Sequence, residues 1–317
     1  MKKVIVFGGL GFIGGHLVEE LVARGMQVTV FDRLKNEAPY RKINAVYNYF
    51  QGDVTDAQAV DDVMFGADYF VNLAGILGTS ETVDNPFPSV HSNIIGALNI
   101  FNAARRNKVK GVQIAVGNHW MNNSYSITKT TAERFAFMFN KEHGTKIAVV
   151  RALNAYGERQ KHAPVRKIMP NFICKALRNE PIKIYGDGSQ IMDMVYVKDV
   201  AQVLANAMEF EHGVYDRVFE IGTGRQTTVN EIAEMVCKFA GSKAGVEHVT
   251  MRAGEPEHAI VVGDPKTLVP LFAPYDVELD TLEGKLPQVI NWYRENYPWQ
   301  NDWEVFIDAI KRKNSSN

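Results

Sequence analysis

The sequence predicts a doubly wound α/β fold, a parallel sheet with helices on both faces, followed by a smaller C-terminal lobe. Short β-branched runs alternate with amphipathic helical stretches through the first half of the chain. A glycine-rich turn joins the first run directly to the first helix. After Arg151 the rhythm changes, and we divide the chain into residues 1–155 and 156–317, with segments of the second part returning to the sheet.

Strand 4–7 leads into helix 12–24, whose Ile13, Leu17 and Leu21 share one face. Strand 27–31, helix 59–65, strand 69–73 and helix 93–105 follow, and strand 111–116, helix 126–143 and strand 146–151 complete the pattern. Right-handed crossovers between parallel strands then cover both sheet faces. Beyond Arg151, turn signals at Ala163-Pro164, Glu180-Pro181 and Gly186-Asp187-Gly188, with shorter and more widely spaced helices, predict the smaller lobe. The basic run 105–110 reads as a solvated helix end, where cations suit the helix dipole. The terminal KRKNSSN reads as a frayed tail.

A chain of 317 residues with 46% hydrophobic content buries a sizeable core. Its 35 basic and 36 acidic side chains leave a formal charge of -1, so no net field draws nucleic acid or an anionic membrane. Cys174 and Cys237 are the only cysteines, and no His stands at metal-ligand spacing, which excludes a disulfide framework and predicts no metal. No apolar stretch approaches the ~20 residues of a membrane span. The N-terminus lacks a signal cleavage site, and a cytoplasmic location fits best.

Gly8, Gly11 and Gly14 form G-x-x-G-x-x-G between a strand and a helix, where backbone N–H groups of the turn and of Phe12 and Ile13 approach a pyrophosphate. The next strand ends at Asp32, a carboxylate that accepts from an adenosine ribose and repels a 2'-phosphate. That favours NAD over NADP, although the neighbouring Arg33 offers a phosphate the opposite charge. Tyr125 and Lys129 stand four apart on one helix face, so an ammonium can assist a phenol that titrates near 10 unperturbed to act as a base.

Together with the glycine turn, this pair resembles the extended short-chain dehydrogenase/reductases, in their NAD-dependent nucleotide-sugar epimerase and dehydratase branch. The resemblance rests on FGGLGFIGGHL, GDVTD from Gly52, NLAG from Asn72, NIIGALNIFNAAR from Asn93 and the Tyr125-to-Glu133 segment. It continues through RALNAYGERQ from Arg151, IYGDGSQIMDMVYVKDVA from Ile184, EIGTG from Glu220 and RAGE from Arg252. It implies a Rossmann domain holding NAD, a lobe gripping a nucleoside diphosphate sugar, and a homodimer. By the same resemblance Asp53 and Val54 contact adenine, Leu73, Ala74, Gly75 and Asn93 border the cofactor, and Tyr125 with Lys129 holds the nicotinamide ribose. Tyr125 is the acid/base, Asn154 and Arg252 contact the diphosphate, and Ile184 and Tyr185 form the wall beside the nucleotide base.

Two departures stand out. Ala115, Val116 and Gly117 occupy the positions where the family carries the hydroxyl that bonds the sugar, and Thr82, Ser124, Asn118 and His119 are the candidate substitutes, with Thr82 the expected substrate contact. Met192 stands where the family has an arginine for the substrate phosphate. Because Gly117-Asn118-His119 offers none of the carboxylates of the related dehydratases and decarboxylases, the expectation is an epimerase working through a transient 4-keto sugar. A dehydratase, decarboxylase or reductase using Glu81 or Asp84 is the alternative, and a non-catalytic dinucleotide sensor is the alternative of another class.

Overall fold

The computed structural model describes residues 1–35, 42–211 and 215–298; the C-terminal KRKNSSN lies outside them. Seven parallel strands form the main sheet. They are β1 (Lys3–Phe7), β2 (Gln27–Asp32), β3 (Asn48–Gln51), β4 (Tyr69–Asn72), β5 (Lys110–Val116), β6 (Ile147–Ala152) and a last strand, Val218–Ile221. Their spatial order is Val218–Ile221, β6, β5, β4, β1, β2, β3. Strand β1 shows why the run reads as continuously apolar. Val4 and Val6 enter the core beneath α1 (Phe12–Ala23) and helix Val197–Glu209, while Ile5 and Phe7 enter the opposite core with Ile100, Phe101 and Phe139.

Strand β3 carries no alternation to read. All four of its residues are exposed at the sheet edge, and its Asn and Gln mask it in the sequence. The run 105–110 is only partly solvated. Arg106 pairs with Asp61 at the surface, but Lys110 is 9% exposed and its ammonium donates to the Glu209 and Phe210 carbonyls and to Glu211. Its strand is covered on both sides, so the side chain reaches out along Tyr69 to the end of helix Val197–Glu209.

The second lobe is built around another core, between helices Ile168–Leu177, Val229–Ala240 and Leu282–Asn296. These helices span 10, 12 and 15 residues, against 12, 8, 12 and 20 for the main helices of the first half. A capping box at Thr228 and Glu231 starts the middle one and Gly241, at φ 75°, ends it. Asp193 ties this lobe to the sheet. Fully buried, its carboxylate accepts from the Thr223 hydroxyl and from the N–H groups of Thr223, Gly224 and Gly263. The chain leaves the sheet in opposite directions after β1 and β4, which opens a crevice at their C-terminal ends, where α/β proteins bind ligands.

Candidate active site

The crevice is a cavity of about 320 Å³. It begins at the glycine turn. Gly8 has φ +79°, and a Cβ there would lie 2.9 Å from the Ala74 nitrogen, so the β1 turn and the β4 loop touch only because the side chain is missing. A Cβ on Gly14 would overlap the Gly8 carbonyl oxygen. No side chain caps α1 at Gly11, so the first N–H groups of Phe12, Ile13 and Gly14 remain for a ligand. Asp32 is held by both oxygens, accepting from Leu10 N–H at 3.0 Å and from Leu34 N–H at 3.0 Å. Each oxygen keeps a lone pair for a ribose hydroxyl. Arg33 is exposed on the same wall.

Leu73, Ala74 and Gly75 also line the cavity, as do Asp53 and Val54, the residues for which the resemblance implies an adenine contact. Burial would raise the Asp53 carboxyl, but two bonds from Thr55 and the charge of Arg33 outweigh it and hold the group below its usual range. Asn93 does not line the cavity. It is 2% exposed in the π-helical turn Val90–Ile95, accepts from Ile76 N–H, and donates to the Ile76 carbonyl and the Thr128 hydroxyl. It therefore clamps the β4 loop to the helix behind it, a supporting contact in place of the expected direct one.

That helix, Ser124–His143, is capped by Asn123, which accepts from Ser126 N–H, and ends on Gly144 at φ 64°. Its orientation is fixed from below. Arg151 on β6 donates twice to Glu133, at 2.6 and 2.9 Å, and once to Glu220 on the edge strand. Tyr125 and Lys129 consequently face the cavity, one turn apart. Burial pushes the Tyr125 phenol up and pulls the Lys129 ammonium down to about 8. Burial therefore favours the neutral phenol at Tyr125.

A second cavity, about 280 Å³, opens on the far side of Tyr125 into the second lobe. Its polar wall includes Asn118, Asn154, Arg166, Lys167, Lys175, Lys183, Tyr185, Arg252, Glu81 and Glu255. Of the residues expected there, Asn154, Tyr185 and Arg252 are present. Ile184 is not. The strand Ile182–Tyr185 alternates, so Tyr185 faces the cavity while Ile184 is fully buried in the lobe's core. Thr82 is not there either: it is 5% exposed and its hydroxyl donates to the Gly78 carbonyl, closing a local turn. Arg252 spans Tyr185, 4.7 Å above the ring, and donates to Glu255.

Residues 4–222 match the NAD dependent epimerase/dehydratase family. The chain belongs to that family. A UDP-glucose 4-epimerase of Thermus thermophilus, solved with NAD, is 26% identical and superposes with a TM-score of 0.81, over 92% of this chain and 99% of its own. A UDP-N-acetyl-alpha-D-glucosaminuronate decarboxylase of Bacillus cytotoxicus is 26% identical over 93% of this chain and 98% of its own. A dTDP-glucose 4,6-dehydratase of Mycolicibacterium smegmatis is 27% identical over 98% of each chain. The cofactor of the family is NAD, which agrees with the uncapped helix start and the fixed Asp32 carboxylate. The sheet order is Rossmann-like, and among the described residues no helix is long and apolar enough to cross a membrane.

The three relatives are named for three different reactions, so membership of the family does not by itself fix the reaction. Ala115 and Val116 put no hydroxyl beside Tyr125. Ser124 donates to the Thr82 carbonyl, and His119 turns its ring to the Gly117 carbonyl; neither lines a cavity. Asn118 alone of the four candidates is at the wall. Met192 also lines it, without replacing the arginine's charge. Sequence reasoning missed the cations Arg166, Lys167, Lys175 and Lys183, which lie on two separate segments and share no spacing that marks a site.

Proposed function

We propose that the protein is an NAD-dependent epimerase of a nucleoside diphosphate sugar. What carries the reading is the wall next to Tyr125: Val116, Gly117 and Asn118 supply no acid, and the two acids of the second cavity are already engaged. Glu81 accepts from Arg166 N–H, and Glu255 accepts from Arg252 and from the Thr79 hydroxyl. Asp84 does not line the cavity. Elimination of water needs a base at a neighbouring carbon; reversal of a hydroxyl-bearing centre does not.

Bound in the first cavity, NAD would supply reversible hydride-accepting chemistry. The glycine turn and the start of α1 would hold its pyrophosphate, Asp32 its adenosine ribose, and Tyr125 with Lys129 its nicotinamide ribose. Tyr125 takes the proton of the sugar hydroxyl and gives it back to the ketone oxygen. Lys129 offsets the phenolate charge. Rotation of the ketone between the two transfers exchanges the face that is reduced. Asn154, Tyr185, Arg166 and Arg252 would hold the nucleoside diphosphate, with Arg252 changing partner from Glu255. Exposed Ile127 and Met138 on helix Ser124–His143 support the expected homodimer.

The test is incubation with a panel of nucleoside diphosphate sugars, with products resolved by mass and stereochemistry. An isomer of unchanged mass, formed without net consumption of NAD, is expected. Loss of water or carbon dioxide, or net oxidation of NADH, refutes epimerisation. Tyr125→Phe lowers turnover by about a thousand-fold, and an unaltered rate in that variant refutes the proton-transfer role.

A further inference from the structure

On the proposed reading, hydride transfer falls where the two cavities meet. Three polar side chains line both: Tyr125, Asn154 and Lys167. Asn154 is anchored by its amide to the Asp193 carbonyl, whereas among the described residues no hydrogen bond or ion pair holds the Lys167 ammonium. That ammonium lies 5.8 Å from the centre of the Tyr125 ring. Lys167 occupies the N-cap position of helix Ile168–Leu177, with extended backbone, so its side chain leaves the helix and enters the junction.

Among the described residues the charges around it form no ion pair with it. Glu81 and Glu255 attract it from across the cavity and Arg252 repels it, but both acids are bonded to other donors. Burial, the largest influence, pulls its pKa down. A half-buried ammonium with no protein acceptor is costly to desolvate, and a site retains one where a ligand supplies the acceptor. The hydroxyls that could otherwise serve are spent: Thr79 donates to Glu255, Thr82 to Gly78 and Ser124 to Thr82.

We propose that the Lys167 ammonium donates to the reacting sugar oxygen, in the role the absent hydroxyl would fill. The proposal rests on the tyrosine-dependent oxidation described above. In that step the C–H hydride passes to the nicotinamide, the O–H proton passes to Tyr125, and the C–O bond becomes C=O. Lys167 keeps its own proton throughout. It lowers the cost of charge on the oxygen in both directions of the reaction, as an oxyanion-hole donor does.

The experiment compares Lys167→Met, Lys167→Gln and Lys167→Arg with the parent enzyme and with Tyr125→Phe, in the NAD-loaded protein. Turnover is measured on paired sugars bearing a hydroxymethyl or a carboxylate at C6. Appearance of reduced nicotinamide absorbance on mixing with substrate reports the hydride step. Lys167→Met and Lys167→Gln are expected to lower kcat about 100-fold on both sugars and to slow nicotinamide reduction equally, with KM and NAD affinity little changed. Lys167→Arg recovers part of the rate. Unchanged kcat in Met and Gln variants that fold and bind NAD overturns the proposal. So does a loss confined to KM for the C6 carboxylate, which would make Lys167 a clamp for that group. Full activity in Tyr125→Phe would refute the oxidation itself, a separate failure.

Discussion

In the cofactor cavity the groups presented to a ligand are largely backbone: the Gly8 turn, the open N–H groups at the start of α1, and the loop 73–75 pressed against them. In the substrate cavity they are side chains, brought from the loop after β4, the start of helix Ile168–Leu177, the strand Ile182–Tyr185 and the segment at Arg252. A backbone cradle demands small residues at fixed intervals, and those intervals survive as a motif. A cavity walled by side chains demands only that suitable groups arrive there, and many residues from many segments can satisfy it. The same family can therefore keep one cofactor while changing its reaction.

The sharpest way to break this contrast lies in two neighbours on one strand. Ile184→Ala removes a core side chain and should cost about 2–5 kcal/mol of stability, read from denaturant unfolding, with KM unaltered in the folded fraction. Tyr185→Ala should do the reverse, raising KM about tenfold with a small stability change. An unchanged stability for Ile184→Ala would contradict its placement in the core. On the cofactor side, Gly14→Ala should weaken NAD binding by about 100-fold in calorimetry, because a small displacement of the turn misplaces every N–H that it presents. Undiminished affinity would mean that the pyrophosphate sits elsewhere.

The smallest effect concerns pH. The Lys129 pKa falls from 10.5 to about 8 on folding, so below pH 8 the folded state carries the full cost of a buried cation. Between pH 8 and 10.5 the unfolded chain binds more protons, and stability rises with pH. In the NAD-free protein, Lys129→Met should therefore be more stable than the parent by about 1–3 kcal/mol at pH 7, the gain shrinking towards pH 10.5. A variant that melts below the parent at pH 7 would show that the ammonium is stabilised where it lies.

The strands buried on both faces, the glycine turn, Asp32 and the Tyr125–Lys129 pair are legible in the sequence because each follows from a period or a spacing. Strand β3 is not, since an exposed edge strand needs no apolar alternation. Asn93 reads as a ligand contact because its position follows from motif order, while its role as a clamp depends on where Ile76 and Thr128 come to lie. Thr82 and Ile184 mislead for a related reason: each is one step from a wall residue, and facing is decided by a local turn or by strand alternation. Lys167 is invisible because nothing at 167 distinguishes it from the solvated lysines of the surface.

The edge strand Val218–Ile221 has one more implication. It pairs with β6, supplies Glu220 to the Arg151 that steadies helix Ser124–His143, and is preceded by helix Val197–Glu209, which covers α1. The sheet that carries the cofactor is thus finished by chain that has already entered the second lobe, while helices Val229–Ala240 and Leu282–Asn296 of that lobe come after it. The nascent polypeptide must lay down part of the substrate lobe, helix Ile168–Leu177 and strand Ile182–Tyr185, before its nucleotide-binding sheet is complete. An N-terminal half excised before Val218 would expose the long side of β6 as an open edge.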